Sequence, residues 1–317
     1  MKKVNVALVG LGFGGFFSAI YQKHPNVGRL VLFDTDKVRE ENLCQKLGIT
    51  ERAESFEAIL EDPDIDAVHL VTPFTLHEEQ SVAVLNSGKH CACTVPMGLT
   101  LEGIRRIVQA QKASGKNYMM MEDMAKWPDY WTGLPPMYYA THAIAPISVM
   151  AGARIQSVRC EGSGRMNPDT QKYYGNPYPV ESAILEFENG LKGEVTRSLF
   201  ETAREYVEGF DVYGSKKTFQ WGFRDHDKPY VTTLLPPREG DRGGRCETEV
   251  VSLPDFSGSL PQSIRKFAVS GGDFDPLNPH KSWNKELGAG HHGAHPHLVH
   301  EFISSIVEER KPWIDEQ

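Results

Sequence analysis

The first fifteen residues, MKKVNVALVGLGFGG, constrain the possible fold more than any other stretch of the chain. Residues 4–9 form a short apolar run, interrupted only by Asn5, that is typical of a strand buried on both faces of a parallel sheet. This run leads into GLGFGG, which fits the pattern G-x-G-x-x-G with glycines at positions 10, 12 and 15. The first glycine permits a tight turn, the second lets the backbone approach a pyrophosphate, and the third lets a helix pack against the strand. We therefore predict a strand, a phosphate-binding turn and a helix that opens near Phe16.

A second apolar run ends in an acidic residue where such a turn requires one. Residues 30–33, LVLF, precede Asp34, which lies 19 residues after Gly15. A carboxylate at this place accepts hydrogen bonds from the hydroxyl groups of the adenosine ribose and would repel a 2′-phosphate. The sequence thus predicts a dinucleotide site and favours NAD over NADP. The alternative is a strand, turn and helix with a structural role only.

Composition narrows the class of protein. The chain has 317 residues, of which 40% are hydrophobic and 24% charged, as in ordinary globular proteins. Its net charge of −8 provides no basic surface for nucleic acid, and no apolar run reaches membrane-spanning length. The five cysteines lack paired spacing, which favours reduced thiols. We expect a cytoplasmic protein that binds neither nucleic acid nor membrane, and we interpret Lys2-Lys3 and the following run as part of the nucleotide motif rather than a secretory signal.

The pattern of the chain changes near residue 124. Before this point strands alternate with helices, which predicts βαβ units and a parallel sheet with ligands at the carboxyl ends of its strands. Beyond it, alternating runs at 155–160, 180–188, 191–200 and 206–213 indicate a largely antiparallel open sheet, with Asn189-Gly190 as a hairpin turn. The predicted fold class is α/β, with an NAD-binding Rossmann domain over residues 1–124. A second, α+β domain for substrate binding and oligomerisation is predicted over 125–317, with the option that the closing helix at 298–309 returns to the first domain.

Three motifs together resemble one enzyme family. GLGFGG, VTPFTLH at residues 71–77 and GKHCACTVPMGLT at 88–100 are similar to motifs of the glucose–fructose oxidoreductase/inositol dehydrogenase (Gfo/Idh/MocA) family. The resemblance implies a Rossmann domain, an α/β domain with an open sheet, NAD(P), a sugar or cyclitol substrate, and a homo-oligomer, dimeric or tetrameric. By position the resemblance places the following residues around the cofactor: Gly10, Gly12, Phe13, Gly14, Asp34, Thr72, Pro73, His77 and Pro96. For His77 the alternative to a cofactor contact is a structural hydrogen bond at a helix start.

The chain departs from the family in four places. Thr94-Val95-Pro96 stands where the family commonly has Glu-Lys-Pro, and valine cannot assist proton transfer as that lysine usually does. Phe74 replaces the asparagine usual after Thr-Pro. The segment between Met124 and Trp127 leaves no room for a helix and strand that the family has there, and the end after Trp313 is shorter than the family's last helix. Either the chain is naturally reduced, or segments are absent from the numbering.

The missing lysine directs attention to the segment YYATHAIAP at residues 138–146. Related dehydrogenases often carry Asp-x-x-x-His here with the histidine as acid/base, whereas this chain has Tyr138 four residues before His142. The spacing Tyr139-x-Thr-His142 instead resembles glycoside hydrolase family 109. That resemblance implies tightly held NAD, oxidation of the sugar C3 hydroxyl, elimination across C2, addition of water and reduction of the ketone. A histidine suits the removal of a hydroxyl proton, and residues at i and i+3 share one helix face. We predict that His142 and Tyr139 are catalytic; the alternative is an aromatic contact in a core helix.

A second histidine cluster, HHGAHPHLVH at residues 291–300, raises the possibility of a metal site. No carboxylate or cysteine completes a familiar spacing, and Pro296 would break a helix that aligned the imidazoles. We therefore predict no metal. Aromatic faces, guanidinium groups and imidazoles also suit hydroxyl-rich ligands, although such residues commonly pack or lie at the surface. The predicted substrate contacts are Trp131, Tyr138, Arg165, His291 and His295.

Three hypotheses about function follow from these residues. The leading hypothesis is an NAD-dependent enzyme that oxidises a carbohydrate hydroxyl, either as a sugar dehydrogenase or as a redox-neutral glycosidase. The second is a catalytically inactive NAD-binding sensor or structural protein, because the lysine is absent. The third is a dehydrogenase that acts on a non-sugar substrate, such as an amino-alcohol or a reduced heterocycle.

Overall fold

The computed structural model describes residues 2–121, 132–203, 207–222, 224, 227–240, 243–252, 254–268 and 293–314. The chain divides into two compact units, Met1–Lys126 together with Asp255–Gln317, and Trp127–Pro254. The boundary that the sequence predicts between residues 124 and 125 falls outside the described residues.

The first unit is built on a parallel sheet. Its strands are β1 (Val4–Val9), β2 (Val27–Phe33), β3 (Ala67–Leu70), β4 (His90–Thr94) and β5 (Tyr118–Met121). The strand order is β2-β1-β3-β4-β5, with all pairs parallel. Strand β2 therefore lies on one side of β1, and β3 lies on its other side. The carboxyl ends of β1 and β3 form the switch point at which open parallel sheets bind ligands.

Five helices connect these strands: α1 (Gly15–Lys23), α2 (Lys37–Leu47), α3 (Phe56–Glu61), α4 (His77–Asn86) and α5 (Leu101–Ser114). Polar side chains cap several of them, as at α2, where the Asp36 carboxylate accepts hydrogen bonds from the N–H groups of Val38 and Arg39. Gly48 ends α2 in the left-handed conformation, with φ of 66°. Caps of this kind fix where each helix begins and therefore where its first side chains lie relative to the sheet edge.

The described residues of the second unit form two antiparallel sheets. One consists of β6 (Ile155–Ser163), β7 (Val180–Phe187) and β8 (Lys192–Ser198), in the order β6-β7-β8. The other consists of β9 (Asp211–Tyr213), β10 (Lys217–Gln220), β11 (Tyr230–Leu234) and β12 (Cys246–Val250), in the order β12-β11-β10-β9. Ala183, Leu185 and Phe187 are buried while Ser182 and Ile184 are exposed, so β7 alternates between a covered and an open face. The α-helices among its described residues are α6 (Thr141–Ala151) and α7 (Pro168–Gln171).

The last part of the described chain belongs to the first unit. It forms α8 (Gln262–Arg265) and α9 (His295–Val307). Phe302 and Ile303 of α9 are fully buried in a cluster with Phe17 and Ile20 of α1. This cluster covers one face of the parallel sheet, and α3, α4 and α5 supply the apolar side chains of a second cluster. The sheet is therefore buried on both faces, as the uninterrupted apolar run of β1 indicates.

The predicted fold class is confirmed: a parallel Rossmann sheet is followed by a unit with antiparallel sheets. The hairpin at Asn189-Gly190 joins β7 to β8, with Gly190 at φ of 84° and the Asn189 side chain accepting from the Leu191 N–H. Neither β11 nor β12 was predicted from the sequence. Every residue of β12 is exposed, so this strand buries no side chain in a core.

Candidate functional site

The glycine-rich turn after β1 is held in place by close backbone packing. Gly10 has φ of 88°, and a Cβ atom there would overlap the carbonyl oxygen of Val71 and lie 2.7 Å from its carbonyl carbon. A Cβ atom at Gly14 would overlap the carbonyl oxygen of Gly10. Glycine at these two positions is therefore required by the turn itself, which lies directly on the end of β3.

Gly12 has a different environment. A Cβ atom there would have only the Nη1 atom of Arg39 nearby, at 3.9 Å, so this part of the turn is open. Helix α1 begins at Gly15 without a side-chain cap, which leaves its N-terminal end suited to an anionic ligand. The sequence assigned close packing to Gly15, but a Cβ atom there would meet Leu43 at an ordinary 3.6 Å, and Gly14 is the tighter position. The open Gly12 and uncapped helix fit the pyrophosphate of a dinucleotide.

Phe13 lies within this turn but faces the interior. Its side chain is 6% exposed, and its ring lies 5.3 Å from Phe16 and 5.7 Å from Phe17 between centroids. Any contact between Phe13 and the predicted cofactor therefore falls to its backbone.

Asp34 directly follows β2, and its carboxylate connects the end of β2 to the turn after β1. Its Oδ2 atom accepts a hydrogen bond of 2.7 Å from the Leu11 N–H, and its Oδ1 atom accepts one of 2.8 Å from Asp36. The Nη1 atom of Arg39 lies 3.1 Å from Oδ2 and 3.3 Å from Oδ1. These contacts occupy the roughly four acceptor positions of the carboxylate, so a ribose hydroxyl would bind Asp34 in place of the Arg39 guanidinium, whose side chain is 48% exposed. The sequence analysis missed Arg39, which its place in the first turn of α2, five residues after Asp34, could have indicated.

Thr72 and Pro96 follow β3 and β4 at the same edge of the sheet. The Thr72 hydroxyl donates to the Oε1 atom of Gln80 at 2.6 Å, Pro73 is exposed, and the peptide bond before Pro96 is cis. His77 is fully buried, and its ring nitrogens lie 2.8 Å from the carbonyl oxygens of Thr72 and Pro96. This geometry favours the structural hydrogen bond over a direct cofactor contact for His77.

The two family departures that the structure describes are buried. Val95 is 3% exposed and Phe74 is 2% exposed. Neither side chain can transfer a proton. An acid/base group for oxidation of a hydroxyl must come from another part of the chain.

The second unit brings together Tyr139, His142 and two residues that are distant in the sequence. Tyr139 ends a 3₁₀ turn before α6, and its hydroxyl lies 3.1 Å from the Nε2 atom of His142. The Glu208 Oε1 atom lies 3.7 Å from the same nitrogen, and the Arg197 guanidinium carbon lies 5.4 Å from the Tyr139 ring centroid. All four side chains are buried or largely buried. The sequence analysis missed Glu208 and Arg197, for which no local motif gave a signal.

The other predicted substrate contacts do not form one cluster. Tyr138 is 42% exposed, and Arg165 is exposed between β6 and α7. His295 is fully buried, with its ring centroid 4.5 Å from that of Phe17. This position in the core of the first unit argues against the predicted substrate contact of His295. Trp131 and His291 lie outside the described residues.

The described residues bear on two other kinds of site. Within them, no three His, Cys, Asp or Glu side chains are grouped as they would be around a metal ion. In the same part of the chain, no helix has the length and apolar character needed to cross a membrane.

Sequence comparison relates the chain to known oxidoreductases. Residues 4–122 match the oxidoreductase family with an NAD-binding Rossmann fold, GFO_IDH_MocA. The scyllo-inositol 2-dehydrogenase (NAD(+)) of Bacillus subtilis (strain 168) is 28% identical over 236 residues, which cover 62% of this chain and 67% of that protein. A glycosyl hydrolase family 109 protein of Porphyromonas gingivalis (strain ATCC BAA-308 / W83) is 23% identical over 262 residues, covering 64% of this chain. The chain spans about half, 54%, of the length of that second relative.

Structural comparison agrees in fold. The UDP-N-acetylglucosamine 3-dehydrogenase from Acidithiobacillus ferrooxidans superimposes with a TM-score of 0.64. The match covers 100% of this chain and 93% of that one, at 15% sequence identity. At this identity the likeness shows a shared fold.

Proposed function

Because residues 4–122 belong to the NAD-binding Rossmann domain of the Gfo/Idh/MocA oxidoreductase family, we propose that this NAD-binding oxidoreductase oxidises a hydroxyl group of a sugar or cyclitol. The Bacillus subtilis relative is a scyllo-inositol 2-dehydrogenase, which supports this substrate class. NAD accepts a hydride when bound. The residues that would receive its pyrophosphate and ribose are Gly12 and Asp34, because the first is open and the second is a carboxylate beside the same turn.

The observation that carries the proposal is the contact between Tyr139 and His142. When a hydroxyl carbon loses hydride, the hydroxyl proton must pass to a base. A Tyr139 hydroxyl that donates to His142 Nε2 at 3.1 Å can pass its proton to the imidazole and take another from the substrate. The resulting imidazolium would be stabilised by the Glu208 carboxylate at 3.7 Å. We assign Tyr139 and His142 as the acid/base pair and Glu208 as the group that stabilises the charged imidazole.

Arg197 supports this arrangement by holding the aromatic ring. Its guanidinium group lies over the face of Tyr139, and it projects from β8 into the buried interior of the second unit. A cation over an aromatic face contributes about 0.5 to 2 kcal/mol, depending on how completely the pair is desolvated. Arg197 thus restricts the position of the phenolic hydroxyl before substrate arrives.

A screen of sugars and polyols with NAD, followed by NADH absorbance, tests the proposal. His142→Ala should remove cofactor reduction while NAD binding, measured by calorimetry, is unchanged. The matched control is Val149→Ala, because Val149 lies on the same helix and is 81% exposed. Unchanged turnover in His142→Ala would disprove the assignment of the acid/base pair.

A second candidate is a redox-neutral glycosidase. The Tyr139-x-Thr-His142 segment and the similarity to the Porphyromonas gingivalis family 109 protein favour it. Mass analysis of the denatured protein for co-purified nucleotide separates the candidates. Retained NAD with cleavage of nitrophenyl glycosides, without added cofactor, supports the glycosidase. An empty site with reversible NAD binding supports the dehydrogenase, and bound NAD without turnover of any sugar supports the inactive sensor.

A further inference from the structure

His77 occupies an unusual position between two loops of the nucleotide-binding unit. It is the first residue of α4 and is fully buried. Its Nε2 atom lies 2.8 Å from the Thr72 carbonyl oxygen, in the loop after β3. Its Nδ1 atom lies 2.8 Å from the Pro96 carbonyl oxygen, in the loop after β4. One imidazole ring therefore connects two loops that follow neighbouring strands.

These two contacts determine the protonation state of the ring. A neutral imidazole has one N–H donor and one lone-pair acceptor, whereas a carbonyl oxygen can only accept. A neutral His77 would therefore direct a lone pair at a carbonyl oxygen only 2.8 Å away. Rotating the ring by 180° would bring Cδ2 and Cε1 to the positions of the two nitrogens, at a distance too short for a C–H···O contact. Both contacts are hydrogen bonds only if both nitrogens carry protons.

The surroundings of His77 are consistent with a buried cation. Burial by itself lowers the pKa of the imidazole, but the adjacent Cys93 and the two carbonyl acceptors outweigh it and raise the pKa to about 9. The titratable groups that act on the ring are Cys93 on β4 and the buried His69 on β3. Glu78, the next residue in the chain, directs its carboxylate to the N–H groups of Leu99 and Thr100. Both N–H groups of an imidazolium at this position would be hydrogen-bonded, which lowers the cost of burying its charge.

We propose that His77 is a positioning residue whose imidazolium ties the loop after β3 to the loop after β4, so that the cofactor-binding edge is preformed. This inference deepens the proposed function, because Thr72, Pro73 and Pro96 are the predicted cofactor contacts at that edge. Glu78 also holds the loop after β4, since its Oε1 atom accepts hydrogen bonds of 2.7 and 2.8 Å from the N–H groups of residues 99 and 100. The first two residues of α4 thus hold the loop that follows Pro96 at both of its ends.

The protonation state can be measured without cofactor or substrate. In protein labelled with ring-¹⁵N histidine, nuclear magnetic resonance distinguishes an imidazolium, with two proton-bearing nitrogens, from either neutral tautomer. The His77 signals are assigned as those that disappear in His77→Gln. We expect the imidazolium pattern at neutral pH, and its loss only as the pH rises through about 9. A neutral ring at neutral pH would overturn the proposal.

The pH dependence of NAD binding tests the positioning role. The affinity of the wild-type protein for NAD should be constant around neutral pH and fall as the pH rises through about 9. Deprotonation of His77 replaces one of its two hydrogen bonds with a repulsive contact between a lone pair and a carbonyl oxygen. His77→Gln, whose amide offers an oxygen to one of the carbonyls, should bind NAD about tenfold more weakly at neutral pH and lack this step. Cys93→Ala keeps the ring but removes the neighbouring sulfur, and should move the step to lower pH.

The outcomes separate this inference from the proposed function. If His77→Gln binds NAD as the wild type does, the positioning role is refuted even when sugar oxidation is established. If no sugar is oxidised but the step in NAD affinity moves in Cys93→Ala, the positioning role stands and the substrate assignment fails. If His77→Gln does not fold, Cys93→Ala still decides the matter: a step in NAD affinity that moves to lower pH supports the positioning role, and a step that does not move refutes it.

Discussion

Substitution of two glycines in the same turn should separate folding from cofactor binding. At Gly10, alanine would be forced into φ of 88°, and its Cβ atom would lie 2.7 Å from the Val71 carbonyl carbon and 3.1 Å from the Thr72 nitrogen. Left-handed backbone costs a non-glycine residue about 1 to 2 kcal/mol, and overpacking costs about 1 to 3 kcal/mol more. Gly10→Ala should therefore lower the free energy of unfolding by about 2 to 5 kcal/mol.

Gly12→Ala should behave in the opposite way. Its Cβ atom would approach only the Arg39 guanidinium, at 3.9 Å, so the free energy of unfolding should change by less than about 0.5 kcal/mol. The same methyl group would occupy the space in which the pyrophosphate approaches the backbone, so NAD affinity should fall at least about tenfold. Urea unfolding and calorimetric NAD titration of both variants measure the two effects. Wild-type stability in Gly10→Ala, or wild-type NAD affinity in Gly12→Ala, would refute this account of the turn.

Three further predictions follow from side chains of both units. Burial, with the charges of His295 and His77, lowers the pKa of His69 to about 3, so its contribution to stability is present above pH 6.5 and is lost as the pH falls toward 3. By pH 5 this loss is about 2 kcal/mol. His69→Gln, which can still accept a hydrogen bond from Tyr21, should remove that part of the pH dependence of the free energy of unfolding, measured in urea. Identical pH dependence in both proteins would contradict this prediction. Asp34→Ser should weaken NAD binding about tenfold, because it removes the ribose acceptor, and should strengthen NADP binding, because Arg39 remains beside the site. Calorimetry that finds NADP binding unchanged would count against the role of Asp34 in cofactor choice. Glu208→Gln should lower kcat about 10- to 100-fold with little change in KM, since the carboxylate acts on the protonated imidazole, and an unchanged kcat would remove Glu208 from the mechanism.

The oligomeric state stays a prediction. The open face of the sheet formed by β6, β7 and β8 carries charged residues such as Arg159 and Glu194 around the exposed Ile184. Sedimentation at micromolar concentration should show a dimer or tetramer. A species with the mass of one chain only would refute the homo-oligomer.

Much of the nucleotide-binding unit is predictable from sequence, because its signals are local. An apolar strand, a glycine turn and an acidic residue each act over a few positions, and Asp34 lies at the strand end where the spacing puts it. The contact between Tyr139 and His142 is local in the same sense, since three residues separate them. Their placement relative to each other follows from one turn of chain.

The partners that come from distant segments could not be predicted in this way. Glu208 reaches His142 from 66 residues further along the chain, and no periodicity encodes that approach. His295 was predicted to contact substrate because it lies in a histidine-rich segment, but its ring packs against the rings of Phe13, Phe16 and Phe17. Composition alone does not distinguish an imidazole in a core from one in a pocket.

The return of the last helix to the first unit has a consequence for how the chain is made. The second unit, Trp127–Pro254, is inserted between two parts of the first, so a ribosome completes it before the first unit has all its segments. Until α9 emerges, the apolar surface of Phe17 and Ile20 lacks the cover that Phe302 and Ile303 provide, and His24 lacks its 3.0 Å contact with His300. The first unit therefore cannot bury this apolar surface until α9 has been synthesised, which happens only after the whole of the second unit.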